Sequence, residues 1–133
     1  MAEIEEPHYL LDTHTAIWFF DGNSTMSSTA DQIIRDRTNR IYLSVISAWE
    51  LTIKINIGKL RFPGDAAGFM QIAQSNDITI IPIETAHLTV LKELPLINRD
   101  PFDRLLIATA LSEQMTLITA DKNISVYDVP HVW

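Results

Sequence analysis

Apolar residues along this chain fall into two kinds of run, short β-branched or Leu-rich stretches and longer ones with helical spacing. Tyr9-Leu10-Leu11 reads as a short buried strand ending at Asp12. Asp12 or Thr13 can cap a helix through Ile17, Trp18 and Phe20 that stops at Asp21-Gly22. Ser27-Ser28 caps a second helix, with Ile33 and Ile34 inward and Arg35, Asp36 and Arg37 outward. Residues 41–45, Ile-Tyr-Leu-Ser-Val, predict the second strand. Ser47 is then the expected cap of a helix containing Trp49, Leu51, Ile53 and Ile57 and stopped by Gly58. Pro63-Gly64-Asp65 opens a helix to about Ser75, residues 78–83 predict a third strand, and residues 85–94 another helix. Asp100-Pro101 starts a further helix whose Leu105, Leu106, Ala108, Thr109 and Leu111 form a wide buried face. Residues 116–120 predict a fourth strand and residues 129–133 a short fifth.

Alternation of this kind implies an α/β fold, a parallel sheet covered by helices on both faces. The chain has 133 residues, the size of one domain, expected over 1–133 with residues 1–7 as an acidic N-terminal tail. There is no cysteine, which removes thiol catalysis, Cys-based zinc sites, iron–sulfur clusters and disulfides together. Glu3, Glu5 and Glu6 precede Pro7 with no basic residue, unlike a signal peptide, and apolar runs such as residues 16–20 are too short to span a bilayer. A soluble cytoplasmic protein without membrane contact is expected. Seventeen acids against ten bases give a net charge of −7, which argues against holding nucleic acid by bulk positive charge. It leaves open a protein that reaches phosphates through bound cations.

In open α/β sheets the chemistry lies at the carboxyl ends of the strands. Asp12 follows the first strand directly and Asp121 the fourth, while Glu50 lies just inside the helix after the second. Asp100 and Asp103 fall in the first turn of the helix before the fourth strand. Five carboxylates from distant segments are thus directed to one sheet edge, where they would repel without a counter-charge. Hard divalent cations such as Mg²⁺ or Mn²⁺ are the usual remedy. Each acid alone has a simpler reading. Asp12 can be a helix cap, Asp100 and Asp103 a capping box, Glu50 a first-turn acid favoured by the helix dipole, and Asp121 a turn residue. Together they favour one shared cause, a metal site.

The remaining candidates say less. His14 is near the proposed site and reads more simply as packing against the helix start, and His8, His87 and His131 lack zinc-ligand spacing. Trp18, Trp49 and Phe19-Phe20 sit at helical spacing and read as core or dimer surface rather than as platforms for bases.

Leu10-Leu11-Asp12-Thr13-His14, Ser47-Ala48-Trp49-Glu50, Asp100-Pro101-Phe102-Asp103-Arg104 and Thr119-Ala120-Asp121, in this order and spacing, resemble the PIN-domain family. More narrowly they are similar to the VapC-like toxins of type II toxin–antitoxin pairs, in a subgroup with the DPFDR sequence. Ile53-Lys54 and Gly58-Lys59-Leu60 share that likeness. The resemblance implies a three-layer α/β/α domain around a short parallel sheet. It implies Mg²⁺- or Mn²⁺-dependent endoribonuclease activity, with Asp12, Glu50, Asp103 and Asp121 as metal ligands and catalytic acids, water attacking phosphorus and leaving 5′-phosphate ends. Asp100 is carried over as a helix cap or outer-sphere acid. Thr13 or Thr119 could orient a water or a phosphate, or simply cap. Lys54, Lys59, Arg61, Arg99 and Arg104 could flank RNA, although Lys54 is spaced to pair with Glu50 and Arg104 to neutralise Asp100. Members with this motif often carry His where Asn98 stands here, which questions any imidazole role at that position. A cognate antitoxin covering the groove and a homodimer complete what the resemblance implies.

Rival readings are a phospho-receiver-like domain, a catalytically inactive PIN-like binding module, and a housekeeping nuclease of the same fold. The first needs a central Asp after the third strand, where the chain has Ile81-Pro82-Ile83-Glu84. The second finds no support, since all four expected acids are present. The third is not excluded by sequence.

Overall fold

A computed structural model describes residues 7–133. The expected acidic tail therefore lies, except for Pro7, outside the described residues. Five parallel strands form the central sheet in the order β3-β2-β1-β4-β5. They are β1 (His8–Leu11), β2 (Arg40–Ser44), β3 (Thr79–Ile81), β4 (Thr116–Ile118) and β5 (His131–Val132). The helices are α1 (Thr13–Asp21), α2 (Ser28–Arg35), α3 (Val45–Asn56), α4 (Ala66–Ser75), α5 (Thr85–Glu93), α6 (Pro101–Glu113) and α7 (Lys122–Ser125).

Consecutive strand residues feed opposite layers, as a sheet buried on both faces requires. Leu10 and Leu117 join one core with Leu106, Ile107 and Tyr127, while Leu11 and Ile118 join the other with Ile17, Leu51 and Phe69. The expected three-layer α/β/α arrangement is the observed one. None of the described helices is long and apolar enough to cross a membrane.

Local chemistry sets the helix ends. Asp12, Ser27, Asp65 and Asp100 each accept a backbone N–H of the helix they cap. Gly22, at φ 67°, ends α1 in the left-handed conformation that glycine adopts without a Cβ penalty. Several boundaries differ from expectation, four of them for reasons visible in the chain. Ser44, not Ser47, caps α3, accepting from the Ile46 N–H at 3.0 Å, so Val45 is helical and Glu50 falls in the second turn. β3 is confined to residues 79–81, ahead of Pro82, which has no N–H for a ladder. β4 ends at Ile118 because Thr119 turns its hydroxyl to the chain that follows, accepting the Asp121 N–H at 3.0 Å. β5 is only two residues long, beginning after Pro130.

β1 is the central strand, and the chain leaves it towards β2 but leaves the neighbouring β4 in the opposite direction, towards β5. The crevice between the carboxyl ends of β1 and β4 is the switch point where an open α/β sheet exposes its working groups.

Candidate metal and catalytic site

Asp12 stands at that switch point. Its Oδ1 accepts the Thr15 N–H at 2.7 Å, its Oδ2 accepts the Thr119 hydroxyl, and its own N–H donates to Ile118 O at 3.3 Å. The carboxyl is 6% exposed. Burial raises its pKa, against hydrogen bonds from Thr119 and Thr15 that favour the anion. The cap reading of Asp12 is therefore the one these bonds show.

Glu50 is brought in by α3 and is also buried. Its Oε1 accepts the Thr13 hydroxyl at 2.6 Å, and its Oε2 accepts the Lys54 ammonium one helical turn on. Ser47, which the sequence suggested as a cap, instead lies inside α3 with its hydroxyl 2.9 Å from that of Thr13. A second-turn position gives Glu50 little of the helix-dipole support expected for a first-turn acid, so Thr13 and Lys54 carry that task.

Asp103 arrives on the first turn of α6, behind the Asp100 cap, whose Oδ1 accepts the Asp103 N–H at 3.0 Å. Its pKa is pushed up to about 7, first by burial and then by the charges of Asp100, Asp121 and Glu50, with an Asn98 side-chain hydrogen bond opposing. The charges that add to burial there come from α3, the start of α6 and the start of α7. Asp121 caps α7 through a 2.9 Å bond from the Asn123 N–H. Lys54 is the basic group among these acids. Burial lowers its pKa, yet Glu50, Asp100 and Asp103 outweigh that and raise it.

A cleft of about 280 Å³ opens beside Asp12 and Asp121, walled by His14 and Trp18. The His14 and Trp18 rings lie 5.9 Å apart. A larger one, about 530 Å³, is lined by Arg35, Arg37 and Arg40 at the opposite ends of the strands, so chemistry rather than volume locates the site.

The other sequence candidates separate by exposure. Lys59 and Arg99 are on the surface. The Arg104 guanidinium faces the loop before α6, donating to Pro95 O at 2.8 Å, Leu94 O at 3.4 Å and the Tyr127 hydroxyl at 2.9 Å. Three residues support the site without having been expected to from sequence. Ser47 supports Thr13, Asn98 accepts the Asp100 N–H at 2.6 Å, and Tyr127 accepts from the loop. Ser47 alone had a signal, in the Ser-Ala-Trp-Glu run; Asn98 and Tyr127 had none for these roles, since the bonds that tie them together are long-range.

The donor set is all oxygen, suited to a hard divalent cation, and after burial the charges of Asp100, Asp121 and Glu50 push the Asp103 pKa up. Among the described residues, the group whose ligand atoms lie within 4.8 Å of one another is different, Glu84, His87 and Glu113. There His87 is fully buried, with Nδ1 accepting the Glu84 N–H at 3.1 Å and Nε2 2.8 Å from Glu113 Oε1. An accepting Nδ1 leaves the proton on Nε2, so the ring is a hydrogen-bonded tie between α5 and α6.

The fold is shared with solved toxin–antitoxin complexes. The chain is similar to VapBC2 from Rickettsia felis bound to a DNA fragment from their promoter, with TM-score 0.70, 17% identity, and 94% of this chain and 97% of that chain covered. It is similar to DNA-bound VapBC from Salmonella typhimurium, with TM-score 0.68, 12% identity, and 95% and 97% covered. FitAcB from Neisseria gonorrhoeae gives TM-score 0.61, 17% identity, and 94% and 96% covered. No curated protein sequence matches the chain significantly. The PIN domain family model matches residues 9–130, nearly the whole chain. With that match, the chain belongs to the PIN-domain family.

Proposed function

We propose that the protein is a Mg²⁺- or Mn²⁺-dependent endoribonuclease, the toxin of a type II toxin–antitoxin pair, working in the cytoplasm as one domain over residues 1–133. PIN domains are generally nucleases and typically use divalent metals. The observation that carries the reading is the crowding of Asp103 with Asp100, Asp121 and Glu50 at one end of the sheet, where their charges add to burial in raising its pKa.

Asp12, Glu50, Asp103 and Asp121 would hold the cation. When bound, the ion supplies charge stabilisation to phosphate oxygens and makes water a stronger acid. The protein's own part is to hold these donors still. Thr119 and the Thr15 amide fix Asp12, Thr13 and Lys54 fix Glu50, and the Asp100 cap fixes the backbone at Asp103. Lys54 also brings positive charge among the acids, available to a phosphate, and Lys59 and Arg99 offer exposed charge nearby on the chain. With a net charge of −7, weak non-specific RNA binding is expected, with selectivity from RNA shape.

Two partners belong to this reading. The similar structures are toxin–antitoxin complexes, which supports a small cognate antitoxin for this chain. Val45, Trp49 and Ile53 on α3 and its C-cap Ile57 repeat every four residues and are 38%, 47%, 39% and 55% exposed, an apolar stripe that a homodimer would cover.

The test is brief induction of the protein in cells beside an Asp103→Asn variant, with RNA 5′ ends mapped across the transcriptome. Discrete new 5′-phosphate ends in the wild type, absent from an equally abundant variant, are expected. Identical maps from soluble, antitoxin-free protein would overturn the nuclease reading.

A further inference from the structure

The loop before α6 and the segment after α7 are stitched together at one side chain. The Tyr127 hydroxyl accepts the Ile97 N–H at 3.2 Å, the Asn98 N–H at 3.0 Å and Arg104 Nη1 at 2.9 Å, and its own proton points to Asn98 O at 3.3 Å. The residue is 3% exposed, with its ring in the core beside Leu106 and Ile124. A second tie runs parallel, from Asn98 Nδ2 to Asn123 O at 3.1 Å. Asn123 in turn donates its N–H to Asp121, while Asn98 accepts the N–H of Asp100. Every bond in this chain of contacts ends within two steps of an acid.

We propose that Tyr127 is a positioning residue for the acidic site, its hydroxyl fixing the separation between the Asp100–Asp103 pair on α6 and Asp121 on α7. The inference rests on the metal-dependent reading above. Leu94 packs on the core and the Ile97 N–H also reaches Pro95 O at 3.0 Å, but Leu96 and Ile97 are 69% and 53% exposed, so Arg104, Tyr127 and the Asn98–Asn123 bond are what tie residues 95–98 to the rest of the fold. Without the hydroxyl, two backbone N–H groups and a guanidinium lose a shared acceptor, and the loop that leads into the Asp100 cap loses its reference point. The Asp103 and Asp121 carboxylates would then no longer be held at a fixed spacing, which is what outer-shell groups supply to a cation site.

Tyr127→Phe keeps the ring in the core and deletes only the hydroxyl. Three readouts separate positioning from mere stability: amide exchange over residues 95–100, Mn²⁺ affinity from the paramagnetic resonance of free ion, and kcat against KM for RNA cleavage. Expected are faster exchange in that loop, Mn²⁺ binding weakened roughly tenfold, and a fall in kcat larger than any change in KM. Ile78→Val, in the core on the other face of the sheet, should lower stability while leaving all three unchanged. Mn²⁺ affinity in Tyr127→Phe equal to the wild type would overturn the proposal alone. Absence of Mn²⁺ binding by the wild type would overturn the metal-dependent reading and the proposal with it.

Discussion

Thr13 and Glu50, 37 positions apart, share a 2.6 Å hydrogen bond that joins the start of α1 to the second turn of α3. The bond places the residue after one acid in contact with another acid and so ties the start of α1 to Glu50. Thr13 is 2% exposed and Glu50 3%, and a buried carboxylate that loses a donor bears the desolvation cost of the missing bond. Thr13→Val should therefore cost about 1–3 kcal/mol of stability, read from denaturant unfolding, whereas Thr13→Ser should cost much less. Equal losses in the two variants would assign the effect to packing of the methyl group instead.

Asp103 gives the protein a pH signature in the absence of divalent ions. Its pKa rises from 3.8 unfolded to about 7 folded, through burial first and then Asp100, Asp121 and Glu50. Because the folded state holds the proton more tightly, this group contributes stability at low pH that is lost as pH rises from about 4 to about 7. Asp103→Asn should accordingly be more stable than wild type at pH 8. Discounting for solvent screening of a partly exposed group, the gain is roughly 1–2 kcal/mol. The advantage should shrink towards pH 4 and also on adding Mg²⁺ at pH 8. A difference independent of pH would show that Asp103 carries no excess charge repulsion.

Much of this was legible in the chain, and the failures are instructive. Strand–helix alternation was enough for a parallel three-layer fold, and the consecutive apolar pairs Leu10-Leu11 and Leu117-Ile118 fit strands buried on both faces. Around Ser44 the sequence is ambiguous, because both Ser44 and Ser47 can cap and Val45 is β-branched; only the bond from the Ile46 N–H to Ser44 decides between them. The acids at strand ends were visible from position alone. Their supports were not, since Tyr127 reaches back 30 residues to Ile97, and nothing local in its sequence announces a buried acceptor.

Arg104 was a candidate for binding RNA, but its guanidinium donates to Pro95 O, Leu94 O and Tyr127. Arg104→Ala should loosen the loop and leave the salt dependence of RNA binding unchanged. Replacing the exposed Lys59 or Arg99 should reduce the slope of log K against log salt by roughly 0.7 for each phosphate that the side chain had neutralised. A reduced slope in Arg104→Ala would mean that its charge faces RNA after all.

His87 ties α5 to α6 through Glu84 and Glu113 from a fully buried position. His87→Ala leaves a cavity and unpaired polar groups, and should cost roughly 2–4 kcal/mol in guanidinium unfolding. RNA cleavage per folded molecule should persist, because none of the site acids is bonded to this group. Loss of cleavage in a protein that remains folded would contradict the structural assignment of His87.

The central claim is that the switch-point acids, and not the Glu84–His87–Glu113 group, form the cation site. Mn²⁺ titration of the purified protein followed by paramagnetic resonance tests it directly, comparing wild type with Asp12→Asn, Asp103→Asn, Asp121→Asn and Glu113→Gln. Wild type and Glu113→Gln should bind with similar affinity, and each Asp→Asn variant should bind at least about tenfold more weakly, in line with the loss of a ligand or of its support. Binding that survives in Asp103→Asn and Asp121→Asn but disappears in Glu113→Gln would move the metal to the α5–α6 cluster and contradict the account.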